Sequence, residues 1–159
     1  MSQALPDVFL SYSRTDEVQA RKVITYLQNE GITVWWDGML EAGTVFTRTT
    51  EQALEQAKAV VVLWTATSVG SHWVRDEAQS GRERGVLVPV SLDGSLPPLG
   101  FRQFQSVDLS KWRGSPDAPE IRNVRDAVRR LLNPAPDAAS TLPQAATALM
   151  AAQAYRSQP

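Results

Sequence analysis

The chain lacks several residue types and patterns on which whole classes of protein depend. It has no cysteine and a single histidine, which excludes a disulfide framework, a thiolate nucleophile, a zinc–cysteine site and a histidine-rich metal cluster. Neither a GxGxxG nor a GxxxxGK[ST] glycine loop occurs, so a Rossmann dehydrogenase and a P-loop NTPase are disfavoured. A nucleophile elbow is also missing.

Excess charge and long apolar runs are lacking too. The 16 Lys and Arg residues nearly balance 17 Asp and Glu residues, leaving a formal net charge of -1, so the total charge gives no reason to expect binding to nucleic acid or an anionic membrane. No apolar run approaches the roughly 18 residues of a membrane span, and the N-terminus does not resemble a signal peptide. We therefore expect a cytoplasmic protein with no membrane partner.

What the chain does have is the composition and rhythm of one α/β domain. Its 159 residues are 43% hydrophobic. Short runs that are apolar on both faces favour parallel strands at 7–11, 32–37, 59–64 and 85–92, with a weaker fifth strand at 104–110. Segments with helical spacing separate the runs. The pattern predicts a flavodoxin-like, doubly wound, parallel five-stranded sheet with flanking helices.

The predicted domain ends near residue 132. The last amphipathic helix carries Ile121, Val124, Val128 and Leu131 on one stripe. From residue 133 to 159 the chain becomes rich in Ala and Pro, which favours a linker or a truncated junction to another domain. We therefore predict a domain at residues 1–132 and a linker or junction at residues 133–159.

Three segments meet at the carboxyl ends of the predicted strands, where doubly wound sheets bind their ligands. They are FLSYSRTD (9–16), WWDGMLEAGTVF (35–46) and SHWVRDEA (71–78). In the third segment Trp73 and Glu77 are four residues apart, so a helix would place the indole and the carboxylate on one face.

Together with the late stretch FQSVDLSKW (104–112), these segments resemble, in the same order, the TIR domain (the Toll/interleukin-1 receptor and resistance-protein module) in its bacterial form. The resemblance covers about residues 5–132. It implies one of two functions. Many TIR domains cleave the nicotinamide–ribose bond of NAD+ to give nicotinamide and ADP-ribose or a cyclic product, and others signal only through contacts between TIR domains.

The resemblance makes Glu77 the catalytic carboxylate, with NAD+ as the substrate and no bound cofactor. Ordinary glycoside hydrolysis uses two carboxyl groups, one of which protonates the leaving group. Nicotinamide in NAD+ is already a cationic leaving group, so a single carboxylate can suffice by stabilising positive charge at the anomeric carbon. If the resemblance is set aside, Glu77 is interpreted as one more solvated carboxylate beside Arg75 and Asp76.

Other residues of the crevice are candidates for substrate binding, and each has a structural alternative. Those at strand ends could instead complete a strand or begin a helix, Trp73 could only orient its helix, and Asp37 could cap a turn. The indole of Trp64 could narrow the crevice or stack on a substrate ring. The predicted set is Ser11, Tyr12, Ser13, Arg14, Trp36, Asp37, Gly43, Phe46, Trp64 and Trp73.

The resemblance also bears on partners. The segment 37–46 corresponds to the family's BB loop, which implies homo-oligomerisation through TIR–TIR contacts and activation by self-association. A fused sensor domain or a host TIR protein are further implied partners, in antiviral defence or in interference with host signalling. The residues from Lys111 to Arg130 are locally basic, for which a solvated face is the default interpretation.

Two rival functions stay open at this point. One is a non-catalytic TIR scaffold or adaptor whose 37–46 loop is the working surface. The other is a nucleoside-processing enzyme of similar build, such as a deoxyribosyltransferase, which would use a comparable glutamate on a different substrate.

Overall fold

The computed structural model describes residues 6–36 and 46–133, with side chains from residue 48 onward in the second stretch. Within these residues the chain forms one five-stranded sheet in the order β2-β1-β3-β4-β5, and every pair of neighbouring strands is parallel. The strands are β1 (Val8–Ser11), β2 (Val34–Trp35), β3 (Ala59–Trp64), β4 (Leu87–Ser91) and β5 (Val107–Asp108). The predicted fold class is confirmed.

Strand lengths follow position in the sheet. The central strand β3 is buried along its whole length, as expected for a run of apolar and β-branched residues that is covered on both faces. The edge strands β2 and β5 have only two residues each, shorter than the predicted 32–37 and 104–110. Each pairs with a neighbour on one side only, and short edges limit unwanted strand pairing.

In the described residues, four helices flank the sheet: α1 (Glu17–Asn29), α2 (Phe46–Gln56), α3 (His72–Arg84) and α4 (Pro119–Leu132). The first ends next to Gly31, whose φ of 80° lies in the left-handed region that glycine adopts without strain. Short 3-10 turns precede α1 and α3. None of the helices in the described residues is long and apolar enough to cross a membrane.

The helices form one layer on each face of the sheet. Side chains of α1 and α4 pack with Val8 and Leu10 in one core cluster. Those of α2 and α3 pack with Phe9 in a second cluster on the opposite face. Strand residues alternate between the two faces because successive side chains point in opposite directions. Of the predicted stripe, Ile121, Val124 and Val128 are fully buried in the first cluster, and Leu131 is partly buried against it.

Helix α4 ends at Leu132. The division into a domain at 1–132 and a linker at 133–159 stays a prediction. The predicted linker, 133–159, lies outside the described residues except for Asn133.

Candidate functional site

A buried carboxylate lies where the sequence predicts the crevice. The buried residues of α3 are Val74, Glu77, Ala78 and Gly81, a spacing that puts Glu77 in the stripe facing the sheet. Its side chain is 6% exposed. Glutamate is almost never this buried unless its carboxylate is paired or hydrogen-bonded, so this position requires a specific partner.

Ser11 is such a partner. Its Oγ donates a hydrogen bond to Oε1 of Glu77 at 2.5 Å, between residues 66 apart in sequence. That distance is typical of a charge-assisted O–H···O⁻ bond. Ser11 is the last residue of β1 and is itself 2% exposed. The bond therefore joins the carboxyl end of a central strand to the second turn of α3 and fixes the orientation of the carboxylate.

Local sequence explains why α3 presents Glu77 in this way. Ser71 caps the helix, since its Oγ accepts a hydrogen bond from the backbone N–H of Val74 at 3.3 Å. At Gly81 the helix approaches β3 closely, because a Cβ there would lie 2.9 Å from Cβ of Val60. Real Cβ atoms essentially never come this close, so only glycine allows the observed separation of α3 from the sheet.

Trp73 lies at the rim of this site. It is 46% exposed although it is an indole, whereas Glu77, one turn further along α3, is buried. The pair that the sequence predicts on one helical face therefore has its aromatic member at the surface and its carboxylate inside. An indole with so much exposed area is available to a ligand as well as to the packing of the helix.

Two other predicted residues pack on the opposite face of the sheet from Glu77. Tyr12 is buried in the cluster under α1 and α4, and Trp36 packs against the same cluster. The guanidinium of Arg21 lies 5.2 Å from the ring centroid of Trp36. Contact of either aromatic residue with a substrate stays a prediction, and it would have to be made from the α1 side of the strand ends.

Trp64 presents no exposed surface on which a substrate ring could stack; that its indole narrows the crevice stays a prediction. The side chain is 0% exposed, and its ring lies 5.5 Å from that of Phe101, centroid to centroid, at an angle of 49°. Phe101 comes from the connection between β4 and β5, which covers the end of β3. In the described part of the chain, Nε1 of Trp64 has no hydrogen-bond partner.

The remaining predicted residues lie at the start of α1 or outside the description. Ser13 is half-buried, with its hydroxyl 3.1 Å from that of Thr15, and Arg14 is exposed at the first position of the 3-10 turn. Asp37 and Gly43 lie outside the described residues, as does the side chain of Phe46.

Sequence reasoning missed a polar network at the end of β3. The Oγ1 of Thr65 donates to Oδ2 of Asp16 at 2.7 Å, which ties the loop after β3 to the turn after β1. Ser68 and Thr65 exchange bonds between side chain and backbone at 2.7 and 3.0 Å. A threonine directly after a buried strand, followed by a serine three residues later, is the sequence signal for such a turn.

Asp93 extends this network to the end of β4. Its carboxylate accepts hydrogen bonds from the backbone N–H groups of Ala66 and Ser95, both at 2.9 Å. Partial burial alone would raise the pKa of Asp93, but these hydrogen bonds outweigh that effect and the pKa is lowered. The loops after β1, β3 and β4 are thus linked by specific bonds at the carboxyl ends of the strands.

The described residues contain no group of three or more acidic or histidine side chains that could hold a metal ion. The chemistry that the site offers is that of a carboxylate oriented by a hydroxyl. Such a group can accept hydrogen bonds from sugar hydroxyls and stabilise positive charge that develops beside it.

Comparisons with known proteins agree with this architecture. The family model described as a TIR domain matches residues 8–125, which is well over half of the chain. No curated protein matches the chain.

Among solved structures, the chain is similar to the TIR domain of the Toll-related receptor TRR-2 from Hydra magnipapillata, with a TM-score of 0.65 and 17% identity over 80% of this chain and 99% of that one. It is also similar to a metazoan TIR-STING receptor from C. gigas in complex with 2',3'-cGAMP, with a TM-score of 0.65 and 20% identity over 80% of this chain. The chain spans 41% of the length of that receptor. At these identities the likeness shows the fold alone.

Proposed function

The chain belongs to the TIR domain family, and we propose that it cleaves the nicotinamide–ribose bond of NAD+ with Glu77 as the essential carboxylate. The observation that carries the proposal is the burial of Glu77 at the carboxyl ends of the strands, with its Oε1 held by Ser11 at 2.5 Å. A carboxylate that only solvated a helix face would be exposed, as its neighbour Asp76 is. Burying a carboxylate costs free energy, and the packing of the helix against the sheet does not require one.

The proposed reaction needs one carboxylate and no metal. The bond between C1′ of the ribose and the nicotinamide nitrogen breaks, and the electron pair goes to the nitrogen, so nicotinamide leaves as a neutral molecule without being protonated. Positive charge develops on the ribose, and the Glu77 carboxylate stabilises it while accepting hydrogen bonds from ribose hydroxyls. Water attacks C1′ and loses a proton to give ADP-ribose, or a nitrogen of the adenine attacks to give a cyclic product.

Ser11 has a supporting part in this scheme. Its hydroxyl holds one carboxylate oxygen, so the carboxylate does not have to reorient as charge develops, and preorganisation of this kind is a large share of enzymatic rate enhancement. Trp73 supplies an exposed aromatic surface at the rim, suited to the nicotinamide or adenine ring. The other predicted residues at the strand ends, Ser13 and Arg14, would face the ribose or phosphates.

Self-association belongs to the proposal as well. We propose that copies of the domain contact one another, in part through residues 37–46, and that the contact completes the site. Leu96 and Leu99, in the connection after β4, are 67% and 81% exposed. Exposed apolar side chains of this kind suit a domain whose copies contact one another. The same observation favours the second candidate function, a non-catalytic scaffold in signal transduction. Roles in antiviral defence or towards a host TIR protein would follow from either.

A matched pair of variants tests the catalytic proposal. Purified protein at high concentration is incubated with NAD+, and nicotinamide and the second product are resolved by chromatography and mass. Glu77→Gln keeps the shape of the side chain and removes its charge, so we expect the rate to fall by about 10²–10³ or more. Asp76→Asn makes the same chemical change at an exposed neighbour and should leave the rate close to that of the wild type.

Two results would overturn the proposal in different ways. If the wild type releases no nicotinamide, even under crowding or forced oligomerisation, the scaffold function is the better account. If the wild type is active and Glu77→Gln is equally active, the carboxylate is structural. Nucleosides that lack the pyrophosphate serve as alternative substrates, and cleavage of these in preference to NAD+ would favour a nucleoside-processing enzyme.

A further inference from the structure

We propose that a depression between α1 and residues 113–116 is a second binding site, for a small phosphate-bearing anion. It has a volume of about 360 Å³, within the range of about 300–1,000 Å³ that small-molecule sites occupy. It lies on the α1 side of the sheet, whereas Glu77 faces the sheet from α3 on the other side. The inference does not depend on the proposed NAD+ cleavage.

The charge of this depression is of one sign. Three of its lining side chains are cationic, Arg21, Lys22 and Arg113, and no carboxylate lines it among the residues that the structure describes. The acidic partner of Arg21 is Glu17, one helical turn earlier, at 3.8 Å with both side chains about half exposed. Counting Glu17 with the three cations leaves a net charge of +2 at the depression, and so exposed a pair holds Arg21 only weakly.

The lining side chains also offer hydrogen-bond donors that are not engaged within the protein. In the described part of the chain, the ammonium of Lys22, the hydroxyl of Thr25 and the amide of Asn29 make no hydrogen bond or ion pair. Arg113 uses one of its donors for the carbonyl oxygen of Ser110 at 3.3 Å. Phosphate oxygens accept several charge-assisted bonds at once, and arginine and lysine are the residues that most often supply them.

Among the three cations, Arg21 is the one for which a contact with an aromatic ring is found in the described residues. Its guanidinium lies 5.2 Å from the centroid of the Trp36 ring, an arrangement that restricts the side chain and leaves the N–H groups at its edge able to donate. Less conformational freedom then has to be lost when a ligand binds. The aromatic residue at the end of β2 thus supports a cation at the wall of the depression.

Other basic residues of the C-terminal region do not form a comparable site. Arg125 and Arg129 both contact Glu30, at 3.2 and 3.4 Å, and their charge is compensated there. The second depression beside α4, of about 580 Å³, is lined by Asp108, Glu120 and Asp126 with one arginine, which disfavours an anion. Within the locally basic stretch, Arg113 is thus the residue that lines a depression without a carboxylate among its described lining residues.

Titration of the full chain with inorganic pyrophosphate, followed by isothermal calorimetry and by amide chemical shifts, tests the site. We expect saturable binding that weakens as salt is added, with shifts at Thr25 and Asn29. Lys22→Gln and Arg113→Gln should each weaken binding about tenfold, as expected for the loss of one charge-assisted hydrogen bond. Arg122→Gln is the matched control, since it removes the same charge from an exposed position on α4 that lines neither depression.

The inference is overturned if pyrophosphate does not bind saturably, or if Arg122→Gln weakens binding as much as Arg113→Gln, which would show a diffuse charge effect. Shifts confined to the strand ends near Ser11 would also overturn it. Pyrophosphate binding by Glu77→Gln separates the two proposals, because that variant should bind with unchanged affinity whether or not the wild type cleaves NAD+.

Discussion

Gly81→Ala tests whether the close approach of α3 to β3 sets the geometry of the site. The new Cβ would lie 2.9 Å from Cβ and 3.2 Å from Cγ1 of Val60, whereas carbon atoms at optimal contact are about 3.5–4.0 Å apart. Both residues are buried, so the helix has to move away from the sheet by roughly half an ångström or more. Glu77 is one turn away on the same helical face and moves with it.

The expected loss of stability is small because two effects oppose each other. Overpacking a core costs about 1–3 kcal/mol, while replacing glycine with alanine inside a helix gains up to about 1 kcal/mol. The free energy of unfolding should therefore fall by about 0–3 kcal/mol, leaving the domain folded. Displacement of the carboxylate matters more, since a misplacement of about 1 Å can cost 10²-fold in rate. For about half of that shift we expect roughly a tenfold loss of nicotinamide release.

Urea unfolding and nicotinamide release are measured on Gly81→Ala and on Gly70→Ala. Gly70 makes a suitable control because a Cβ there meets no atom within 4 Å and its φ is not positive. If both variants match the wild type in stability and rate, the reasoning about α3 is refuted. If Gly81→Ala is destabilised but keeps its rate, the packing argument holds and the positioning argument fails.

Three further perturbations have expected outcomes. Thr65→Val should lower the free energy of unfolding by about 1–3 kcal/mol in denaturant melts, because it leaves Asp16 without the hydroxyl donor at 2.7 Å. Trp64→Phe should lower the melting temperature but leave KM for NAD+ unchanged, since the indole is buried. An altered KM would show that Trp64 contributes to substrate binding. Glu30→Gln should destabilise the protein at neutral pH but not at strongly acidic pH, in thermal melts across the range; equal destabilisation at both would contradict this.

The sign of the Glu30 prediction follows from the direction of its pKa shift. The hydrogen bond from Arg125 chiefly lowers the pKa of Glu30. A carboxyl group with a lowered folded-state pKa contributes stability above its unfolded-state pKa of about 4.3. That contribution is lost as the pH falls through the folded-state value, so wild type and variant should converge in acid.

The sequence predicts the sheet well because its signals are local. A run such as that of β3 is apolar at every position, and only a strand covered on both faces accommodates it in a parallel sheet. The stripe of α4 similarly identifies its buried side. The lengths of the edge strands were overestimated, since a run of apolar residues does not reveal that β2 and β5 each lack a second partner.

The site was predictable in its location and only partly in its details. Order along the chain places Ser11 and the α3 segment at the same end of the sheet. The bond between Ser11 and Glu77 joins residues far apart in sequence. It therefore depends on how closely α3 packs against the sheet, and Gly81 allows that close packing. The burial of Trp64 could not be predicted, because the segment that carries Phe101 folds over the end of β3 and no periodic pattern reveals that contact.

The measurement that tests the central claim most directly is the rate of nicotinamide release by Ser11→Ala. The account holds that Ser11 acts only through Glu77, so removing its hydroxyl should lower kcat about tenfold, the equivalent of about 1.4 kcal/mol, with little change in KM. Ser80→Ala, a half-buried serine of α3, should leave kcat unchanged. Wild-type kcat in Ser11→Ala would contradict the claim that this hydroxyl orients the carboxylate that cleaves NAD+.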